Sequence, residues 1–65
     1  MQVRINQLLH QLPDGSSLAQ ALEAGSFHPP YAVAVNLHFI PKTQYATTAL
    51  KENDEIEVIS PITGG

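Results

Sequence analysis

The sequence predicts a small α+β fold, with one short helix packed on one face of a mixed sheet of about five strands. Three observations predict it. The first and last structured stretches alternate apolar and polar residues with a period of two, the signature of half-buried strands. One stretch, Ser17 to Gly25, combines a helix start signal, an apolar stripe at helical spacing and a glycine stop. Turn chemistry divides the remainder into short apolar runs of strand length.

In order along the chain, Met1, Val3 and Ile5 alternate with Gln2, Arg4 and Asn6 and predict a first strand. Asn6-Gln7 predicts a tight turn, because Asn tolerates positive φ. Gln7 to Leu12 is the return strand, and Pro13-Asp14-Gly15 ends it. Ser17, followed three residues later by Gln20, predicts a capping box. Leu18, Ala21 and Leu22 then form one helical stripe. Gly25 suits the position after a helix, where positive φ is needed. A helix of two to three turns does not hold alone and must pack on the sheet.

Ser26 to Pro30 predicts a loop stiffened by Pro29-Pro30. Tyr31 to Val35 is a continuous apolar run, expected to be covered on both faces, or on one face with a partner on the other. Asn36 to His38 turns the chain into a short strand at Phe39-Ile40. Pro41 removes a ladder donor and makes that strand an edge or its end. A single helical turn is expected around Thr43 to Tyr45. Lys51 to Asp54 predicts a turn. Glu55 to Ser60 predicts the last strand, with Ile56 and Val58 on one face and Glu55, Glu57 and Ile59 on the other. The first and last strands are expected to be central, parallel neighbours. Residues 1–60 then form one domain and 61–65 a free tail.

Composition narrows the function. The chain has 65 residues, a formal charge of −3, three basic residues (Arg4, Lys42, Lys51), no Cys and no Trp. That length leaves too few residues to wall off a deep cleft. Without cysteine there is no disulfide, Cys-ligated metal or thiol nucleophile. So few basic residues argue against a nucleic-acid partner. No apolar run approaches the ~20 residues that span a bilayer, and Met1-Gln2-Val3-Arg4 lacks the layout of a secretory leader. His10, His28 and His38 have no i, i+4 pairing that would suggest a metal site. Asp14-Gly15-Ser16 is turn chemistry rather than a phosphate loop. Ser16 and Ser17 have no nearby His/Asp set and read as capping residues.

The informative feature is the end, Pro61-Ile62-Thr63-Gly64-Gly65. Gly averages ~7% of residues, so a terminal pair arises by chance about once in 200 chains. Two residues without side chains form a thin probe whose terminal carboxylate a partner can approach closely. A carboxylate is a poor electrophile until activated, for example as an acyl-adenylate. This chain carries no nucleotide-binding signature with which to activate it. Glu52, Asp54, Glu55 and Glu57 precede the tail as an acidic stretch able to steer docking onto a basic surface. Ile59, outward beside Glu57, and Phe39 from a neighbouring strand are the candidate partner-contact residues.

Val33-Ala34-Val35-Asn36, Ile40-Pro41, the run Leu50 to Glu57 and Pro61 to Gly65 together resemble the ThiS family of sulfur-carrier proteins in thiamine biosynthesis. Tyr45 sits where that family often has an aromatic residue. The resemblance covers nearly the whole chain, specifically in the second half and by pattern in the first. It implies a ubiquitin-like β-grasp fold and a carrier that is not itself an enzyme. A ThiF-like adenylyltransferase would use ATP to adenylate the Gly65 carboxylate. Sulfur transfer would give a thiocarboxylate, and a ThiG-like thiazole synthase would receive the sulfur. The tail Pro61, Ile62, Thr63 and Gly64 would present Gly65, and no cofactor would be bound. A cytoplasmic protein, monomeric when free, is expected. One departure is Glu52-Asn53-Asp54, where the family commonly has Asp-Gly-Asp. Asn is the next-best residue at positive φ, so the turn should survive.

Other readings share parts of this pattern. A MoaD-like carrier for molybdopterin synthesis would have the same end, but the compact Gly25 to Tyr31 connection favours the ThiS resemblance. A carrier for another sulfur pathway, such as tRNA thiolation, would have the same tail. A non-carrier β-grasp interaction module would not need Gly64-Gly65. A ubiquitin-like modifier would form an isopeptide bond to a lysine. An autonomous enzyme has no acid/base or metal constellation to support it.

Overall fold

Two hairpins with the same turn geometry flank the last strand of the sheet. The computed structural model describes residues 1–25 and 27–60. Strand β1 (Gln2–Ile5) pairs antiparallel with β2 (Leu8–Gln11). Strand β3 (Ala32–Val35) pairs antiparallel with β4 (His38–Ile40). Each hairpin turns on two residues of positive φ, Asn6-Gln7 (50° and 70°) and Asn36-Leu37 (50° and 71°). Two successive positive φ values match the right-handed twist of the flanking strands, which is why Asn leads both turns.

Strand β5 (Glu55–Ile59) fills the gap between the hairpins and gives the order β2-β1-β5-β3-β4. It runs parallel to β1, with Arg4 opposite Glu55 and Ile5 opposite Ile56. It runs antiparallel to β3, from Val35 opposite Ile56 to Ala32 opposite Ile59. The five-stranded mixed sheet and the parallel pairing of first and last strands agree with the sequence reading.

Helix α1 (Leu18–Gly25) covers one face of the sheet. Its capping box forms as expected. The Gln20 N–H donates to Ser17 Oγ at 3.2 Å, and the Ser17 N–H donates to Gln20 Oε1 at 2.8 Å. Leu18, Ala21 and Leu22 are buried against Val3, Ile5, Val33, Val35, Ile56 and Val58. Leu50 joins this core, held where the Leu50 N–H donates to Ser16 O at 3.0 Å and the Leu18 N–H to Thr48 O at 2.8 Å.

The structure corrects several local expectations. Gly25 does not take a positive φ; a Cβ there would overlap the Phe27 ring, which would have to shift to admit it. The single helical turn is a 3₁₀ turn over Lys42–Gln44, one residue earlier than expected, closed by the Tyr45 N–H on Lys42 O at 3.3 Å. The apolar run of β3 is not covered on both faces by the described residues. Val33 and Val35 are buried, whereas Ala32 and Ala34 are half-buried on the outer face, where small side chains leave a shallow floor. Asn53 carries φ of 68°, so the substituted last turn survives as expected.

Candidate functional site

Alternation along β5 decides what the end of the fold presents. Ile56 and Val58 are buried in the core, which leaves Glu55, Glu57 and Ile59 on the outer face. Register brings the other predicted contact residue beside them. Phe39 of β4 and Glu57 of β5 both stand opposite Ala34, on either side of β3, and Ile59 stands opposite Ala32 one step further along. Paired residues share a face, so Phe39, Glu57 and Ile59 lie on one outward surface. Phe39 and Glu57 are separated by two interstrand spacings, about 10 Å. Phe39 is 67% exposed and Ile59 58%. Pro30, Tyr31, Ala32 and Ile59 line a shallow apolar depression at the end of this surface.

The acidic stretch divides. Asp54 is buried, and its carboxylate accepts from Asn36 Nδ2 at 2.9 Å and from the Lys51 N–H at 2.8 Å. It holds the turn and does not belong to a docking surface, which corrects the expectation that all four carboxylates face outward. Glu52 accepts from the Gln2 N–H at 3.1 Å, at the opposite end of β5 from the last described residue, Ser60. Glu55 and Glu57 remain as the outward charges on the strand. Arg4 is exposed on the same face opposite Glu55. Among the described residues the ion pair within 4 Å is the Met1 amino group with Asp14, at 3.1 Å.

Sequence reasoning treated Asn6 as a turn residue and missed its second role. Its Oδ1 accepts from the Val58 N–H at 2.8 Å, and its Nδ2 donates to Val58 O at 3.3 Å. Asn36 does the same for the other end of β5. Its Oδ1 accepts from the Glu55 N–H at 3.0 Å, and its backbone N–H donates to Glu55 O at 2.7 Å. The available signal was the recurrence of Asn directly after an apolar strand, at Ile5-Asn6 and Val35-Asn36.

An aromatic cluster was also missed. Tyr31 and Tyr45 stack with ring centroids 6.2 Å apart, and Phe27 meets Tyr31 edge-on at 6.4 Å. Burial pushes the Tyr45 phenol above its ordinary value of 10.0, and its electrostatic interaction with neighbouring Tyr31 adds to the shift. Elsewhere, Ser16 Oγ donates to Pro13 O at 2.7 Å, a turn role. His10 is half-buried and His28 and His38 are exposed. Among the described residues no three His, Asp or Glu side chains gather as a metal site, and no helix is long and apolar enough to cross a membrane. The tail residues Pro61, Ile62, Thr63, Gly64 and Gly65 lie outside the described residues.

The arrangement is an apolar and acidic sheet face that ends where the chain leaves β5.

Comparison with known proteins agrees with this architecture. The family model of the ThiS family matches residues 3–65. Among solved structures, the thiamine biosynthesis protein ThiS from Geobacter metallireducens superposes with a TM-score of 0.82, at 17% identity and with all of both chains covered. At that identity the likeness establishes the shared β-grasp fold. No curated protein sequence matches significantly.

Proposed function

The chain belongs to the ThiS family, and on that premise we propose that it is a sulfur carrier of thiamine biosynthesis with its working group at the Gly65 carboxylate. The observation that carries this reading is the family match itself, which runs through Gly64-Gly65 to the end of the chain.

A carboxylate oxygen of Gly65 attacks the α-phosphorus of ATP on a ThiF-like adenylyltransferase, and pyrophosphate leaves. A sulfide-level nucleophile then attacks the acyl carbon and displaces AMP, leaving a thiocarboxylate. Sulfur is a softer and stronger nucleophile than oxygen, which suits delivery to a ThiG-like thiazole synthase. The carrier is a co-substrate of its partners, carries sulfur covalently and uses no bound cofactor. ATP belongs to the activating enzyme, which places the reaction in the cytoplasm.

Phe39, Ile59 and Glu57 supply the docking contact. Two exposed apolar side chains over an Ala32–Ala34 floor offer area to bury, and Glu57 with Glu55 offers charge for a basic surface. Pro61, Ile62, Thr63 and Gly64 form the slender segment that delivers Gly65.

The test is ATP–pyrophosphate exchange by a ThiF-like enzyme. Exchange that requires this chain and is lost when Gly65 is extended by one residue supports the reading. Exchange that is indifferent to the chain contradicts it.

A further inference from the structure

Strand β5 outruns its parallel neighbour. The ladder between β1 and β5 ends at Ile5 and Ile56, because the chain turns away at Asn6-Gln7. On the other side β3 continues to pair as far as Ile59, through Ala32. The backbone of Val58 therefore faces a space that β1 has vacated, and the carboxamide of Asn6 fills it. Oδ1 accepts from the Val58 N–H at 2.8 Å and Nδ2 donates to Val58 O at 3.3 Å. One side-chain amide thus replaces the peptide group that a longer β1 would have supplied.

We infer that Asn6 is a positioning residue for the carrier reaction, fixing the end of β5 from which the chain continues to Gly65. This rests on the proposed carrier function. Gly65 has to meet a reacting phosphate held in a partner, and the reach to it is counted from the end of β5. Without the Asn6 amide, the Val58 backbone loses both partners on that side, and Val58 to Ile59 is held by β3 alone. Releasing two residues from β5 lengthens the reach by about 6–7 Å and adds conformations to be frozen out before reaction. Asn6 stands at the end of β1 away from Phe39, but the Val58 it holds lies between Glu57 and Ile59, so releasing it also loosens that end of the docking face. The loss therefore falls first on the chemical step and to a smaller degree on binding.

The discriminating variant is Asn6→Gly, which keeps the positive φ of the turn and removes the amide. Asn6→Asp, which also tolerates that φ, keeps the acceptor for the Val58 N–H and should recover part of the loss. Hydrogen exchange at the Val58 amide reads the clamp directly. Steady-state adenylation by a ThiF-like enzyme reads its consequence. Faster Val58 exchange in Asn6→Gly is expected, with kcat down about tenfold and a smaller rise in KM. Faster exchange with unchanged kcat overturns the inference, as does a rise in KM alone or a Val58 amide that stays protected. If the unaltered protein is not adenylated, the carrier reading fails first. If it is adenylated and Asn6→Gly matches it, the positioning role alone fails.

Discussion

The side chains of Asn36 and Asp54 meet through a 2.9 Å hydrogen bond from Nδ2 to Oδ1, which ties the second hairpin to the turn that starts β5. The second carboxylate oxygen of Asp54 accepts from the Lys51 N–H at 2.8 Å. Each oxygen thus has one partner on a different segment.

Replacing Asp54 by Ala leaves both donors of these part-buried, charge-assisted hydrogen bonds without that partner. Stability should fall by about 1–3 kcal/mol in urea unfolding. By contrast Asn53→Gly, at a φ of 68°, should be neutral or slightly stabilising. A neutral Asp54→Ala would show that the turn holds without its carboxylate.

Ile59→Asp and Phe39→Asp alter exposed side chains, so each should cost less than about 1 kcal/mol of stability. Each should weaken binding to a ThiF-like enzyme about tenfold, equivalent to about 1.4 kcal/mol. Calorimetric titration checks this, and an unchanged isotherm would remove that side chain from the docking surface.

Gly65→Trp, or one residue added after Gly65, should abolish adenylation while circular dichroism and the unfolding midpoint stay as they were. The reason is access, since a side chain next to the reacting carboxylate widens the probe. Normal adenylation of either variant would move the reacting group elsewhere.

The Tyr45 phenol is held above its ordinary value of 10.0 first by burial and then by its electrostatic interaction with Tyr31. Folding therefore favours the neutral phenol. Its contribution is complete below the unfolded value and is lost as pH rises through 10 toward the folded value. Alkaline titration of stability should show this fall, and Tyr45→Phe should reduce it. An identical alkaline limb in Tyr45→Phe would assign the fall to other groups.

The sheet was legible because its core is written as alternation. Val3 and Ile5, and Ile56 and Val58, each announce a strand and its buried face, and Ser17 with Gln20 announces the helix start. The outward placement of Ile59 followed from the same parity, and register then put Phe39 on the same side. Three things were not legible, for physical reasons. The burial of Asp54 depends on Asn36, 18 residues away, so local charge density misread it as surface. The Asn6 amide acts across 52 residues, on a gap that exists only because β1 is shorter than β5. The close approach of the Phe27 ring to Gly25 has no mark in backbone propensity.

The most direct test of the central claim is the intact mass of this protein after incubation with a ThiF-like enzyme, ATP and a sulfur source. The account predicts a shift equal to exchange of one oxygen for sulfur, confined by fragmentation to Gly65. An unchanged mass with an enzyme that does thiocarboxylate another ThiS-family protein would contradict it.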